Sequence, residues 1–143
     1  MHRIAQFMKV SKEQFVSSMR EEFPQYTEAD IEDMYESLAL PARATKGSAG
    51  YDFYAPFSFS LPPNTTIKIP TGIRVKMEED WVLKLYPRSG LGFKYRLQMN
   101  NTVGIIDSDY FYSDNEGHIF IKMTNASNEG KTVEVAQGVG FAQ

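Results

Sequence analysis

The 143-residue chain contains no cysteine, and this absence excludes several kinds of chemistry. Without a thiol it can form no disulfide framework, thiolate zinc site, iron–sulfur cluster or cysteine nucleophile. It also lacks any apolar run approaching the ~18 residues that predict a membrane-spanning helix. Residues 1–7 are interrupted by polar side chains and lack the apolar stretch of a secretory signal. These absences predict a soluble, cytoplasmic protein with no membrane partner.

A strong charge of one sign is also missing. The chain has 15 Lys and Arg residues against 18 Asp and Glu residues, which gives a net charge of −3 and a pI near 5.4. Because such a chain is a poor electrostatic partner for nucleic acid, we expect no nucleic acid as a ligand. A hydrophobic share of 42% excludes a disordered chain. The length predicts a single domain over residues 1–143.

Helical signals concentrate in residues 11–40. Ser11 with Gln14, and Thr27 with Asp30, have the spacing of helix N-caps, and Pro24 ends the first helix. The apolar residues behind these caps recur at helical spacing: Phe15, Val16, Met19, Ile31, Met34, Tyr35 and Leu38. The pattern therefore predicts an N-terminal segment of two helices, which covers either the rest of the domain, as a β-barrel, or the surface between subunits.

From residue 47 onward, short apolar runs alternate with polar residues and are separated by Gly, Pro, Asn and Asp. Strands are expected at residues 4–10, 66–70, 72–76, 81–85 and 118–124. Many short strands at close spacing predict a mainly β fold, a sandwich or barrel of the jelly-roll type. Residues 41–143 would form this β core.

Familiar signatures for phosphate and metal binding are absent. Gly130-Lys131 lacks the upstream glycine of a Walker A loop, and residues 138–143 lack the βαβ unit of a dinucleotide fingerprint. His2 and His118 have no ligand-like neighbour at metal spacing. We therefore predict that both histidines are surface or strand residues.

Three clusters of small and polar residues remain. Residues 87–92, Pro-Arg-Ser-Gly-Leu-Gly, place a guanidinium, a hydroxyl and accessible backbone amides side by side, which suits an anion. Residues 104–110, Gly-Ile-Ile-Asp-Ser-Asp-Tyr, hold two carboxylates that would share one face of a strand. Residues 47–52, Gly-Ser-Ala-Gly-Tyr-Asp, are a small-residue turn that ends in an acid. Taken singly, each cluster also fits an ordinary turn or solvated acids.

In this order and spacing, the three clusters resemble the first three of the five ordered motifs of homotrimeric dUTP diphosphatases (dUTPases). The resemblance covers residues 41–143. It implies a jelly-roll-like, distorted antiparallel β-barrel of the trimeric dUTPase type, with active sites at the subunit interfaces of a homotrimer. It also implies an enzyme that hydrolyses dUTP to dUMP and pyrophosphate with Mg²⁺. Such an enzyme limits uracil incorporation into DNA and supplies dUMP for dTMP synthesis.

The resemblance also implies roles at the phosphate end of the substrate. Asp107 matches the carboxylate that orients and deprotonates the attacking water. Arg88, Ser89 and the Gly90 amide match the motif that holds phosphate, and Gln143 matches a phosphate-facing glutamine of the fourth motif. Because the triphosphate brings most of the oxygens that Mg²⁺ requires, no residue is assigned as a direct metal ligand.

For the nucleoside, the resemblance implies a β-hairpin from Asn101 to about Phe120 whose main chain recognises uracil. The residues assigned to the base and sugar are Asn101, Gly104, Ile105, Ile106, Tyr110 and Phe120. Tyr110 would pack on the deoxyribose, Asp52 would support the water shell of the metal and phosphates, and Asp109 would pair with a basic group. Cytosine would leave about two polar groups unpaired, at roughly 1–3 kcal/mol each.

Three features depart from the family pattern. Residues 111–117 lengthen the predicted hairpin, as an extension over the sugar or the trimer face, or as a surface loop. Gly140 stands where the fourth motif has an arginine. The sequence ends before the fifth motif, a Gly-rich arm, so we expect either that a longer tail is missing or that turnover is poor.

Two alternatives remain open. A dCTP deaminase shares the fold and the phosphate motif but uses a glutamate base and lacks the Ile-Asp-x-Asp-Tyr segment. A non-catalytic nucleotide-sensing module would keep the pocket without turnover.

Overall fold

Short antiparallel strands are the main regular secondary structure from residue 53 onward. The computed structural model describes all 143 residues. The strands are β1 (Ala5–Lys9), β2 (Phe53–Tyr54), β3 (Phe59–Leu61), β4 (Thr66–Pro70), β5 (Ile73–Met77), β6 (Leu83–Leu85), β7 (Leu97–Met99), β8 (Gly104–Ile106), β9 (Phe120–Asn125), β10 (Val133–Val135) and β11 (Gly140–Ala142). The helices are α1 (Lys12–Glu22), α2 (Glu28–Ser37), α3 (Ser89–Tyr95) and a 3₁₀-helix (Ser108–Tyr112).

All strand pairs are antiparallel. β1 pairs with β5, β3 with β10, β2 with β11 and β6 with β8, while β4, β9 and β7 form a three-stranded sheet. The strands predicted at 66–70 and 72–76 are confirmed as β4 and β5, and the pattern at 4–10 forms β1. The strand predicted from residue 81 begins only at Leu83, because the Trp81 amide donates to Glu78 O (3.1 Å) in a turn.

The two predicted helices form, but their caps differ. Thr27 and Asp30 make a complete capping box, with N–O distances of 3.1 and 3.0 Å. At α1, Ser11 Oγ accepts from the Gln14 amide (3.1 Å), but the Gln14 side chain donates to Ser18 (3.0 Å) instead of back to Ser11. The reciprocal half of the first predicted box is therefore missing. None of the helices is long and apolar enough to cross a membrane.

The helical segment shares its core with the strands. A single hydrophobic cluster of 23 buried residues includes Phe15, Met19 and Ile31 from the helices and Phe53 and Ile121 from the strands. α1 packs on α2 and on β4. Because this burial removes large apolar side chains from water, residues 11–40 stabilise the β structure they cover.

At two of the three clusters the structure differs from the simple interpretation of the sequence. Residues 89–95 form a helix instead of a turn, although Gly90 and Gly92 have low helix propensity. α3 ends at Arg96, whose φ of 53° is in the left-handed region. The acids at 107 and 109 do not share a strand face, because β8 ends at Ile106 and Asp107 precedes the 3₁₀-helix.

Candidate active site

Three segments that are distant in sequence meet at one cavity of about 560 Å³, here named the Arg88 cavity. Its lining includes residues 48–53, Arg88 and Gln143. Backbone pairing holds these segments together: Tyr86 and Gln143 exchange two hydrogen bonds, at 2.7 and 2.8 Å, and β11 pairs with β2 where Ala142 lies opposite Phe53. The first, second and fourth motifs of the sequence therefore border the same space.

Arg88 and Asp52 form an ion pair in this cavity. The distance from Arg88 Nε to Asp52 Oδ1 is 3.6 Å, and the Asp52 residue is only 7% exposed. A buried carboxylate needs such a partner because an isolated charge loses its hydration. Arg88 lies at the N-cap of α3 and is half-exposed, so its other N–H groups remain available to an anion.

Gly140 lies directly against the Arg88 side chain. A Cβ at this position would be 3.0 Å from Arg88 Nη1 and 3.3 Å from Asp52 Cβ. Any larger residue would have to displace the guanidinium or the carboxylate. The departure from the fourth motif thus has a structural consequence: the missing side chain makes room for Arg88 beside Asp52.

Ser89 and Gly90, the other predicted phosphate ligands, lie beside this cavity without lining it. Both are exposed and begin α3. The first amides of a helix have no intrahelical acceptor, so they can donate to a bound anion.

A second cavity of about 360 Å³, here named the Gly104 cavity, lies between β8 and strands β7 and β9. Five of the six residues predicted for the nucleoside line it: Asn101, Gly104, Ile105, Ile106 and Phe120. A Cβ at Gly104 would be 2.9 Å from Leu85 Cβ, so glycine is required for β8 to approach β6.

The predicted hairpin from Asn101 to Phe120 is wrong as a strand pairing. β8 pairs with β6, and β9 pairs with β4 and β7. The chain reverses before β8 in a tight turn, where Thr102 has a φ of 69° and its amide donates to Met99 O (3.0 Å). The cavity lies between β8 and the paired strands β7 and β9, with which β8 forms no strand pair.

Asp107 and Asp109 lie on the surface. Both are exposed, and neither lines the Arg88 cavity or the Gly104 cavity. Asp109 forms no ion pair within this chain, so its expected pairing with a basic group stays a prediction. No group of three or more His, Cys, Asp or Glu side chains is arranged to hold a metal ion.

Tyr110 is half-buried and held by its hydroxyl. The hydroxyl donates to His118 O (2.6 Å) and accepts from Asn115 Nδ2 (3.1 Å). Unlike the other residues predicted for the nucleoside, Tyr110 does not line the Gly104 cavity.

His118 is fully buried, so the prediction of a surface or strand histidine is wrong. Its Nε2 accepts from the Gly72 amide (2.8 Å), and Nδ1 lies 3.0 Å from Ser18 Oγ. An accepting Nε2 requires the proton on Nδ1, which then donates to Ser18. Burial lowers the pKa of His118 to about 4, which keeps the ring neutral. A lone histidine in the sequence carries no signal for this role.

Comparisons with known proteins agree on one family. A dUTPase family model matches residues 36–143. The chain is similar to the deoxyuridine 5'-triphosphate nucleotidohydrolase of Lactococcus lactis subsp. lactis, with 42% identity over 107 residues that cover 71% of each chain.

Two solved structures share the fold. The dUTPase of Streptococcus mutans is 30% identical, with a TM-score of 0.67, and the match covers 96% of this chain and 90% of that one. A dUTPase of phage phi11 of S. aureus, whose structure reveals the coordination of a structural Mg(II) ion, is 21% identical with a TM-score of 0.66. That match covers 99% of this chain and 88% of the phage chain. The chain therefore belongs to the dUTPase family and has its jelly-roll β fold.

Proposed function

We propose that this chain is a dUTP diphosphatase, which hydrolyses dUTP to dUMP and pyrophosphate. The observation that carries the proposal is the convergence of residues 48–53, Arg88 and Gln143 on one cavity in a member of the dUTPase family. A cavity with a forked cation and an amide side chain suits a phosphate chain.

The phosphates would bind at the Arg88 cavity. Arg88 would turn part of its guanidinium from Asp52 to the phosphate oxygens, and Ser89, the Gly90 amide and Gln143 would add hydrogen bonds. Because the leaving pyrophosphate gains negative charge as the bond breaks, these donors would stabilise the transition state more than the ground state.

The uracil and sugar would bind at the Gly104 cavity. Main-chain groups between Asn101 and Ile106 would pair with the base edge, and Phe120 would contact the ring. Tyr110 would pack on the deoxyribose with its ring, since its hydroxyl is already bound to His118 O. Its bulk would exclude a 2'-hydroxyl.

Asp107 would act as the general base, accepting a proton from the water that attacks the α-phosphorus. In a single chain the two cavities share no lining residue, and Asp107 lines neither. We therefore propose a homotrimer in which the Gly104 cavity and Asp107 of one subunit face the Arg88 cavity of another. The 94% exposure of Phe93 and 50% exposure of Trp81 suit such interfaces.

Mg²⁺ fits this arrangement as a cofactor held mainly by the triphosphate. Mg²⁺ keeps several of its waters, and at the Arg88 cavity the Asp52 carboxylate would face that water shell. When bound, the ion would neutralise charge on the phosphates. Asp52 would accept hydrogen bonds from the water shell of the ion and hold Arg88 in place.

A substrate panel tests the proposal. The full chain is incubated with dUTP, dCTP or dTTP and Mg²⁺, while pyrophosphate and ammonia are followed and subunit mass is measured by light scattering. We expect pyrophosphate from dUTP alone, from a trimer. Ammonia from dCTP would identify a deaminase. Binding of dUTP without turnover would favour the sensing module if it persists when the chain also carries a full C-terminal tail with the fifth motif.

A further inference from the structure

The segment from residue 110 to 118, here named the 110–118 segment, connects the candidate catalytic residues to helix α1. It begins at Tyr110, three residues after Asp107, and includes the extension that departs from the family pattern. Its far end contacts α1 at two points, which involve Glu116 and His118. The extension is therefore a structural link between the helices and the site, and not a free surface loop.

The first contact is between Glu116 and the N-terminus of α1. The Glu116 carboxylate accepts from the Ser11 amide (2.8 Å) and from Ser11 Oγ (2.6 Å). In a complete capping box the Gln14 side chain would accept from the Ser11 amide. Here the Glu116 carboxylate takes that place, because the Gln14 side chain is bonded to Ser18. Burial alone would raise the pKa of Glu116, but the hydrogen bonds from Ser11 and the nearby charge of Arg74 lower it, so the carboxylate is charged at neutral pH.

The second contact lies about two turns further along α1, at Ser18. The His118 ring connects Ser18 of α1 to the Gly72 amide before β5. The backbone carbonyl of the same histidine accepts a hydrogen bond from the Tyr110 hydroxyl, with an O–O distance of 2.6 Å. A single buried residue thus joins α1, the β structure and the candidate sugar-binding side chain.

The backbone of the 110–118 segment is folded into consecutive hydrogen-bonded turns, so its two ends should move together. Consecutive turns join Tyr110 to Asp107, Ser113 to Tyr110 and Glu116 to Ser113, with N–O distances of 3.2, 3.0 and 2.9 Å. A Cβ at Gly117 would be 2.6 Å from the Phe111 Cα, so the two ends of the loop are in contact.

Arg74 of β5 contacts the start of this segment, at Phe111. Its Nη2 donates to Phe111 O at 3.0 Å, and its guanidinium lies 3.6 Å from the centroid of the Phe111 ring. A displacement at Glu116 would therefore shift the 3₁₀-helix as a unit instead of being absorbed by a flexible loop.

We propose that Ser11, Glu116 and His118 are positioning residues for the reaction, through which helix α1 braces the 3₁₀-helix that carries Tyr110 and follows Asp107. The inference rests on the proposed function, because it assigns these residues an effect on Asp107 and Tyr110. None of the three touches the Arg88 cavity or the Gly104 cavity.

Two variants break the brace from opposite sides, in the full chain with dUTP and Mg²⁺. Ser11→Ala removes the hydroxyl on α1, and Glu116→Ala removes the carboxylate on the loop while leaving the Ser11–Gln14 cap intact. Because small misplacements of reacting groups are costly, we expect kcat to fall about tenfold in each, with KM changed less. The double variant should be no slower than either single one, since both remove the same contact. Ser11→Thr keeps the hydroxyl and should retain kcat.

Thr27→Ala is the matched control. It removes the N-cap of α2 in the same helical segment, but the Thr27 side chain is hydrogen-bonded only to the Asp30 amide, and Thr27 has no hydrogen bond to the 110–118 segment. Its cost in stability should be similar to that of Ser11→Ala, without loss of kcat. Equal kcat values for Ser11→Ala, Glu116→Ala and Thr27→Ala would overturn the brace.

Amide hydrogen exchange provides a readout that does not need activity. Residues 108–113 should exchange at least several-fold faster in Ser11→Ala and Glu116→Ala than in Thr27→Ala. If the unmodified chain does not hydrolyse dUTP, the proposed function fails, and exchange alone decides the brace. Equal exchange rates in all three variants would then overturn it.

Discussion

The Arg88 cavity and the Gly104 cavity are built in different ways. Residues 48–53, Arg88 and Gln143 come from three distant parts of the chain and are joined by backbone pairing and one ion pair. All but one of the residues that line the Gly104 cavity lie between residues 99 and 122, as does the 3₁₀-helix, and α1 contacts this stretch from outside the cavity. Substitutions within the Arg88 cavity should therefore change its function directly. The Gly104 cavity and the adjoining 3₁₀-helix should also respond to substitutions far from them, at their contacts with α1.

The largest expected effect concerns Asp107, the residue outside both cavities. Asp107→Asn keeps the shape of the side chain but removes the base, so kcat should fall by about 10²–10⁴-fold while dUTP still binds. Steady-state kinetics and equilibrium binding measure the two quantities. Asp109→Asn, at the exposed acid two residues further along the chain, is the matched control and should stay within about twofold. An unchanged kcat in Asp107→Asn would mean that the base is another group.

The second effect concerns His118, through which α1 supports the 110–118 segment, and it is measured as the pH dependence of the free energy of unfolding. Burial lowers the pKa of His118 to about 4, with the charge of Glu116 acting in the opposite direction. The unfolded chain has a histidine pKa near 6.5, so as pH falls below about 6.5 it takes up a proton that the folded chain refuses. Stability should be full above about pH 6.5 and fall by about 3 kcal/mol by pH 4.

Urea unfolding at fixed protein concentration measures this loss. His118→Gln removes the titrating group and should have a flatter profile between pH 6.5 and 4 than the unmodified chain, although carboxylates contribute to both curves. Parallel profiles would show that His118 is not the group responsible.

A third, smaller effect tests packing in the Arg88 cavity. Gly140→Ala places a methyl group 3.0 Å from Arg88 Nη1 and should move the guanidinium away from Asp52. We expect KM for dUTP to rise about tenfold, equivalent to about 1.4 kcal/mol of binding. Gly47→Ala adds the same methyl group where nothing lies within 4 Å, and its KM should not change. A normal KM in Gly140→Ala would contradict the proposed role of this glycine.

The smallest effect separates buried contacts from exposed ones. Lys68 Nζ lies 3.0 Å from Glu22 Oε1, and so links β4 to α1 through a half-exposed pair. Lys68→Met should reduce the free energy of unfolding by about 1 kcal/mol or less, and less still at high salt. A loss of about 3 kcal/mol, as large as that expected from protonation of His118, would show that exposed contacts stabilise this part of the fold as much as buried ones do.

Much of the fold and of the site follows from local patterns. The period-2 runs predicted β4 and β5, the caps at Ser11 and Thr27 located α1 and α2, and the motif order pointed to the family. Prediction failed where long-range contacts decide. α3 forms despite two glycines, because tertiary context overrides weak propensity. The strand that pairs with β8 is β6, which lies about twenty residues earlier, and no local pattern around residues 101–120 reveals this pairing.

By itself the sequence determined which chemistry is present: no thiol, a forked cation after β6, two acids after β8, and two capped helices. These features depend on residue type and short spacing, which act locally. Only the tertiary structure decided that Gly140 makes room for Arg88, that Glu116 caps α1 and that His118 is buried and neutral. Each of these depends on atoms more than fifty positions apart in sequence that packing brings together, so burial and contact, unlike residue type, are properties of the whole folded chain.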